Sequence, residues 1–407
     1  MAIGPLITRT LLAGALAAAA LLPLAHGADW PGFRGPTADG IAPDQGINKD
    51  WSAKPPQVLW KVALSDNGWA APAVADGRLY IVDHEGTDDI VRALDAASGK
   101  ELWRFAYPDA TTNRNGFTVN TPLAVDGKVY VYSRKGKIHC LDAASGKKVW
   151  SRDLAAEHPG AVPPWEFCMS PVADGPALLL GVSGTADSVM ALQKGTGETL
   201  WQAGAFQISY ASPVVATLGG KKQYLVFGVE GLFGLDPAGG KELWRVPWPT
   251  KFGGKKGPTP VLLGNDRVFA ATTEGGDTGV VDLASGTPAV VWKHKEMQDH
   301  FPTAVYYQGR LYGPSDPKFL ECLDPATGAV LWKQETGQYT SVLGVDGTVI
   351  ALSGKTGELI QIDATTPDYK ELGRCTPLGG TSWAAPVLAN GRLYVRNQKE
   401  LACVGLK

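Results

Sequence analysis

The eleven residues Ala93-Leu94-Asp95-Ala96-Ala97-Ser98-Gly99-Lys100-Glu101-Leu102-Trp103 return almost unchanged as Cys140-Leu141-Asp142-Ala143-Ala144-Ser145-Gly146-Lys147-Lys148-Val149-Trp150. This recurrence restricts the chain to few architectures. Degraded copies end at Trp201, Trp244, Trp292 and Trp332, and a seventh ends at Leu372. A period of roughly 40 to 50 residues is the signature of solenoids and propellers. Within each copy the Asp can bond its own backbone and the Gly tolerates positive φ, so the pair suits a turn between two strands. The Trp then packs as a large apolar body against the neighbouring sheet, its N–H needing one partner. Trp60, Trp103, Trp150, Trp201, Trp244, Trp292 and Trp332 are accordingly assigned to the joints between blades.

Ahead of each copy lies a hairpin. In the first, Pro72-Ala73-Val74-Ala75-Asp76-Gly77-Arg78-Leu79-Tyr80 places Asp-Gly between two β-rich runs, which favours a type I′ turn. Asp126-Gly127, Asp174-Gly175, Asp346-Gly347 and Asn390-Gly391 hold the same place, with Gln308-Gly309 and Gly219-Gly220 as looser versions. The last hairpin, 386–396, is followed by one more strand but no closing Trp, whereas Gln57-Val58-Leu59-Trp60 carries that Trp ahead of the first hairpin. The expected fold is therefore an all-β, eight-bladed β-propeller of four-stranded antiparallel blades, closed by the N-terminal strand completing the C-terminal blade. Closure of this kind leaves no free sheet edge. Seven blades is the alternative count, because the seventh copy is degenerate and the fifth carries an insertion at 287–290.

Residues 1–27 read as a signal peptide: Arg9 precedes an apolar run from Leu11 to Leu24, and Ala25 and Gly27 stand at −3 and −1 of a cleavage site. An N-terminal arm over 28–56, containing Trp30-Pro31-Gly32-Phe33-Arg34-Gly35-Pro36, then leads to the propeller at 57–407. Export to the periplasm or outside the cell follows, with no transmembrane segment in the mature chain. Lys and Arg number 38 against 40 Asp and Glu, so no global field draws nucleic acid, and a monomer is expected. The five cysteines are spread and odd in number, which argues against a disulfide framework. Cys140, Cys322 and Cys403 read as buried strand residues, and a Cys375–Cys403 pair is the open alternative.

The Asp…Gly…Trp unit resembles the tryptophan-docking motif of the quinoprotein alcohol dehydrogenase-like propellers, the pyrroloquinoline-quinone (PQQ) repeats, over roughly 57–407. That resemblance implies one of two functions: a PQQ- and calcium-dependent periplasmic dehydrogenase, or a non-enzymatic propeller similar to the BamB branch. The arm resembles the Trp-x-x-Phe-Arg-Gly-Pro lead-in of many secreted propellers and is expected to pack over one face.

Loops leading into the innermost strands carry Asn120, Glu166 and Asp299, which would have to converge as oxygen ligands for a Ca²⁺ and PQQ site. Neither the adjacent cysteines nor the long insertions of the alcohol-oxidising members occur. No Cys-x-x-Cys-His attaches a haem, and the histidines have no metal-ligand spacing. Gly181-Val182-Ser183-Gly184 lacks the strand-to-helix setting of a nucleophile elbow. An aromatic series does recur ahead of the hairpins, at Trp69, Phe301, Tyr339 and Trp383, with Tyr210 in the equivalent place. Together with Asn120, Glu166, Asp299 and His300 these residues form the expected rim of a central funnel. The preferred expectation is a scaffold that binds an envelope protein or an extracellular ligand there, with no cofactor and no catalytic residue. A quinoprotein oxidoreductase with PQQ and calcium, and a carbohydrate-binding propeller, are the alternatives.

Overall fold

The computed structural model describes Met1 and residues 28–65, 67–109, 116–158, 162–182, 188–250, 256–272, 276–298, 300–315 and 318–407. The expected leader otherwise lies outside them. Eight antiparallel sheets succeed one another, giving blades 1 to 7 over 73–108, 123–153, 172–203, 214–247, 261–294, 305–335 and 341–375. Blade 8 combines 387–405 with Gln57–Ala63, which pairs antiparallel with Glu400–Gly405 and closes the ring. The count is eight. Inner strands such as Ala177–Gly181 and Gly231–Leu235 are buried throughout, because neighbouring blades cover both faces. Outermost strands such as Val330–Glu335 alternate, one side packing inward and the other facing solvent. Among the described residues one short helix, Leu154–Glu157, breaks the β pattern, and no helix is long and apolar enough to cross a membrane.

The hairpin turns follow their chemistry. Asp76 and Gly77 have φ of 50° and 72°, and Asp126–Gly127, Gln308–Gly309, Asp346–Gly347 and Asn390–Gly391 repeat this double positive φ of a type I′ turn. Blade 3 departs. There Asp174 pairs with Ala177, so Gly175 and Pro176 are the turn residues, and only Gly175 is positive. An Asp174–Gly175 turn would need the N–H of Pro176 to close it, and proline has none, so the turn moves one residue along and takes Pro176 as its second residue.

Between blades the tryptophans act as staples. The indole N–H of Trp103 donates to the carbonyl of Ala143 in the next blade at 3.1 Å, and Trp150, Trp201 and Trp292 donate likewise to Lys194, Pro237 and Pro325. Trp60 donates to Ala96 at 3.3 Å, so the joint between blades 8 and 1 is made as the others are. The hydroxyls of Tyr80, Tyr130 and Tyr394 share three of these carbonyls. Each indole also lies on the turn glycine of the next blade. A Cβ at Gly146, whose φ is 71°, would come within 2.5 Å of Trp103. Two staples deviate. Trp244 turns back to Gln223 Oε1 in its own blade, and Trp332 packs against Tyr369.

The degenerate copy needs a correction of one residue. Leu372 is the bulged residue that skips pairing, and Gly373, opposite Gln361, occupies the tryptophan position. The arm's Trp51, 1% exposed, fills the vacancy: a Cβ at Gly373 would meet Trp51 Cβ at 2.7 Å.

The rest of the arm crosses the propeller axis. Trp30 bridges Val74 in blade 1, and the Pro31 carbonyl accepts from the Ala124 amide in blade 2. Three residues on, Arg34 donates to the carbonyls of Thr303 and Ala304 at the start of blade 6. Blades 2 and 6 are opposite in a ring of eight, so this short segment spans the channel. Ile41–Ala42 then adds a parallel fifth strand to blade 7. All five cysteines are free thiols, Cys375 and Cys403 included.

Candidate binding funnel

Loops leading into the innermost strands converge on a cavity of about 460 Å³, lined from all eight blades. Trp30, Gly32, Phe33 and Arg34 of the arm line it as well, so the segment that spans the axis closes one end and makes the funnel blind. Its mouth is aromatic. Trp69 and Trp383 lie 4.4 Å apart between ring centroids, Tyr339 lies 5.3 Å from Trp383, and Phe301 is 5.0 Å from Tyr339. His300 meets Tyr339 edge-on at 5.7 Å. Across the mouth Tyr210 stacks at 5.0 Å on Trp165. Each of these rings is half-buried and lines the cavity. Such rings offer flat apolar contact and little entropy to lose on binding.

Trp69, Tyr210, His300, Phe301, Tyr339 and Trp383 are thus brought together around one opening. Asn120 and Glu166 are not part of its lining. Asn120 is 5% exposed, and its amide donates to the carbonyls of Tyr132 and Phe167, bracing two loops. Glu166 lies 2.9 Å from the Arg134 guanidinium and is also paired with Lys135, with its backbone held at φ 65°. Asp299 lies outside the described residues. A carboxylate already neutralised by two cations, and an amide whose N–H₂ group is spent on backbone, do not fit the donor set of a calcium site. Among the described residues no group of three His, Cys, Asp or Glu is placed to hold a metal.

Two features escaped the reading of the sequence. Trp165 belongs to the mouth but stands outside the repeat register of the other aromatics. Below the mouth, each blade contributes one small residue: Ala71, Thr121, Ser170, Ser212, Thr259, Thr303, Ser341 and Ala385. Their signal was present as a small residue before proline, at 71–72, 121–122, 170–171, 212–213, 259–260 and 385–386.

A second titratable cluster lies in and beside blade 1, away from the funnel. His84 Nδ1 is 2.8 Å from Asp89 Oδ1, the Tyr107 hydroxyl donates to Asp89 Oδ2, and the His139 ring rests 4.3 Å from Tyr107. Burial, reinforced by the Asp109 charge, raises Asp89 from 3.8 to about 7. A carboxyl raised in this way binds its proton more tightly when folded, so its stabilising contribution is complete below pH 3.8 and is lost as pH rises to about 7. Burial lowers His139 to about 4, with Lys148 and Lys137 adding to it, and this acts oppositely: its contribution is lost as pH falls from 6.5 to about 4. The difference between wild type and Asp89→Asn isolates the first effect. Urea midpoints of the wild type should fall relative to the variant across pH 4 to 7, and parallel profiles would show that Asp89 does not titrate there.

The family model described as "Outer membrane protein assembly factor BamB" matches residues 50–106, 87–334 and 319–406. The BamB of Moranella endobia is 24% identical over 328 residues, which are 76% of this chain and 70% of that protein. Over a shorter stretch of 104 residues, the quinohemoprotein alcohol dehydrogenase ADH-IIG of Pseudomonas putida is 36% identical, covering 24% of this chain but 14% of the dehydrogenase. The structure of BamB from Moraxella catarrhalis aligns with a TM-score of 0.64 at 16% identity, over 86% of this chain and 98% of that one. Quinohemoprotein alcohol dehydrogenase from Comamonas testosteroni aligns at 0.71 and 15% identity, over 93% and 80%. At these identities the structural likeness is one of fold.

Proposed function

The chain belongs to the propeller family described as outer membrane protein assembly factor BamB, and from that premise we propose that it is a binding scaffold of the cell envelope whose central funnel captures its partner. The observation that carries this reading is the blind cavity itself, with an aromatic mouth drawn from several blades and a floor laid by the arm. Large aromatics left half-exposed around one concavity are the usual mark of a recognition site. Envelope placement is supported by the role printed in the names of the BamB relatives and by the leader read from residues 1–27. Binding rather than covalent chemistry is favoured because Glu166, the described carboxylate nearest the mouth in sequence, is committed to Arg134 and Lys135.

A photoreactive benzoylphenylalanine at Trp165, set against one at Leu200 on the outer rim, tests the proposal. In envelope extract the mouth position should yield discrete crosslinked species and the rim position should not. Crosslinks from Leu200 with none from Trp165 would move the binding surface to the perimeter.

A further inference from the structure

Below the aromatics, the small residues form a waist whose polar groups have been left in an unusual state. Ser170 Oγ accepts from the Thr121 amide at 3.0 Å, Ser212 Oγ from the Ser170 amide at 2.9 Å, and Thr303 Oγ1 from the Thr259 amide at 3.0 Å. Blades 2 and 3, 3 and 4, and 5 and 6 are thereby laced together through a lone pair, while the hydroxyl proton remains unused. Among the described residues none of the hydroxyls of Thr121, Ser170, Ser212, Thr259, Thr303 and Ser341 donates to a protein acceptor. All six residues are less than a tenth exposed, and all line the cavity. A ring of hydroxyl donors on the cavity wall without protein acceptors, Thr259 Oγ1 fully buried among them, invites an acceptor from outside.

The charge around this ring fixes which acceptor. Among the described residues no Asp or Glu lines the cavity, whereas Arg34 and Arg134 do. Arg134 is neutralised by Glu166. Arg34 is 8% exposed, and its guanidinium bonds four backbone carbonyls, those of Ala38, Asp39, Thr303 and Ala304, with no carboxylate in contact. The floor therefore carries one buried positive charge, offset in part by the nearby Asp39 carboxylate but not paired with it, beside a ring of neutral donors. One charge suits a monoanion better than a phosphate dianion, and hydrogen bonds to an ionised acceptor are about twice as strong as neutral ones. The aromatic mouth above requires that the rest of the ligand be flat or apolar. The blind floor requires that the charged group be an end and not a passing segment.

We propose that the waist of the funnel is a receptor for a carboxylate carried on an apolar or aromatic body, held by the hydroxyl ring over the Arg34 guanidinium. The inference rests on the funnel being the binding site and adds the chemistry it selects. A small aromatic acid and the C-terminal end of a polypeptide both present this chemistry.

Isothermal titration of the mature chain at pH 7 with N-acetyl-L-tryptophan and with its carboxamide separates charge from shape. The acid should bind about tenfold tighter than the amide, the margin expected of charge-assisted hydrogen bonds. Thr259→Val combined with Ser341→Ala should cut that preference about threefold while leaving the thermal midpoint in place, since neither hydroxyl holds a protein partner. A pentapeptide ending in phenylalanine, with a free and with an amidated terminus, distinguishes the sources. Tighter binding of the free-ended peptide than of the small acid assigns a chain end, and weaker binding assigns the small acid. Equal affinity for acid and amide overturns the carboxylate receptor and leaves the funnel a neutral binding site. Binding of neither at millimolar concentration also overturns it, while the crosslinking result at Trp165 judges the funnel separately.

Discussion

Gly146→Ala is expected to lower the stability of the fold by about 3 kcal/mol, and Gly77→Ala by about 1 kcal/mol, although both glycines have nearly the same backbone conformation. Their φ values are 71° and 72°, so the left-handed penalty is common to both. What differs is the space. A Cβ at Gly77 meets nothing within 4 Å, whereas at Gly146 it would stand 2.5 Å from the Trp103 ring. Overpacking a fitted contact adds roughly 1 to 3 kcal/mol, because the indole is held by its bond to Ala143 and cannot slide freely. A double-mutant cycle with Trp103→Ala provides the decisive comparison. With the indole gone, Gly146→Ala should cost no more than Gly77→Ala in denaturant unfolding. An unchanged cost in that background would mean that the glycine serves its turn and not the joint.

Trp51→Ala is expected to cost about 3 to 5 kcal/mol, the range for removing a buried Trp or Phe side chain. This is an unusual demand to place on a residue of an arm. Its reason lies in blade 7, where Gly373 stands at the position that holds tryptophan in the other blades. Trp51 packs against that glycine and donates to its own chain at Asn48, whose carbonyl also accepts from Gln361 of blade 7. The arm continues from this point into Gln57–Ala63, the strand that closes the ring. Loosening Trp51 should therefore be felt in the closure. Hydrogen exchange should rise in 57–63 and 400–405 of the variant before it rises in blades 2 to 4. Uniform exchange across all blades would contradict a local role for Trp51.

The fold was largely legible in the chain because a propeller is built from one unit repeated, and a repeat multiplies weak signals. Asp-Gly turns, alternating strands and the tryptophan register each pointed to the same blade, and Trp60 ahead of the first hairpin disclosed how the ring closes. The residues that broke the pattern were the ones misplaced. Leu372 occupies the expected spacing, yet a bulge sets it aside and gives its place to Gly373. Pro176 looks like a neighbour of an ordinary Asp-Gly turn, yet its missing N–H shifts the turn. In both cases one residue of local geometry outweighed the periodicity.

Of the funnel, the chain determined by itself the six rim residues Trp69, Tyr210, His300, Phe301, Tyr339 and Trp383, because repeat position converts to position around an axis. Only the tertiary structure decided what each side chain faces. Asn120 and Glu166 lie on the equivalent loops of blades 2 and 3, but their polar atoms found carbonyls and cations nearer than the channel, and burial makes such satisfaction obligatory. The hydroxyl ring became visible only when eight blades were brought around one axis, since its bonds join residues more than forty positions apart. The blind floor likewise depends on Pro31 and Arg34 reaching opposite blades, a relation between the arm and the closed ring that no local pattern encodes.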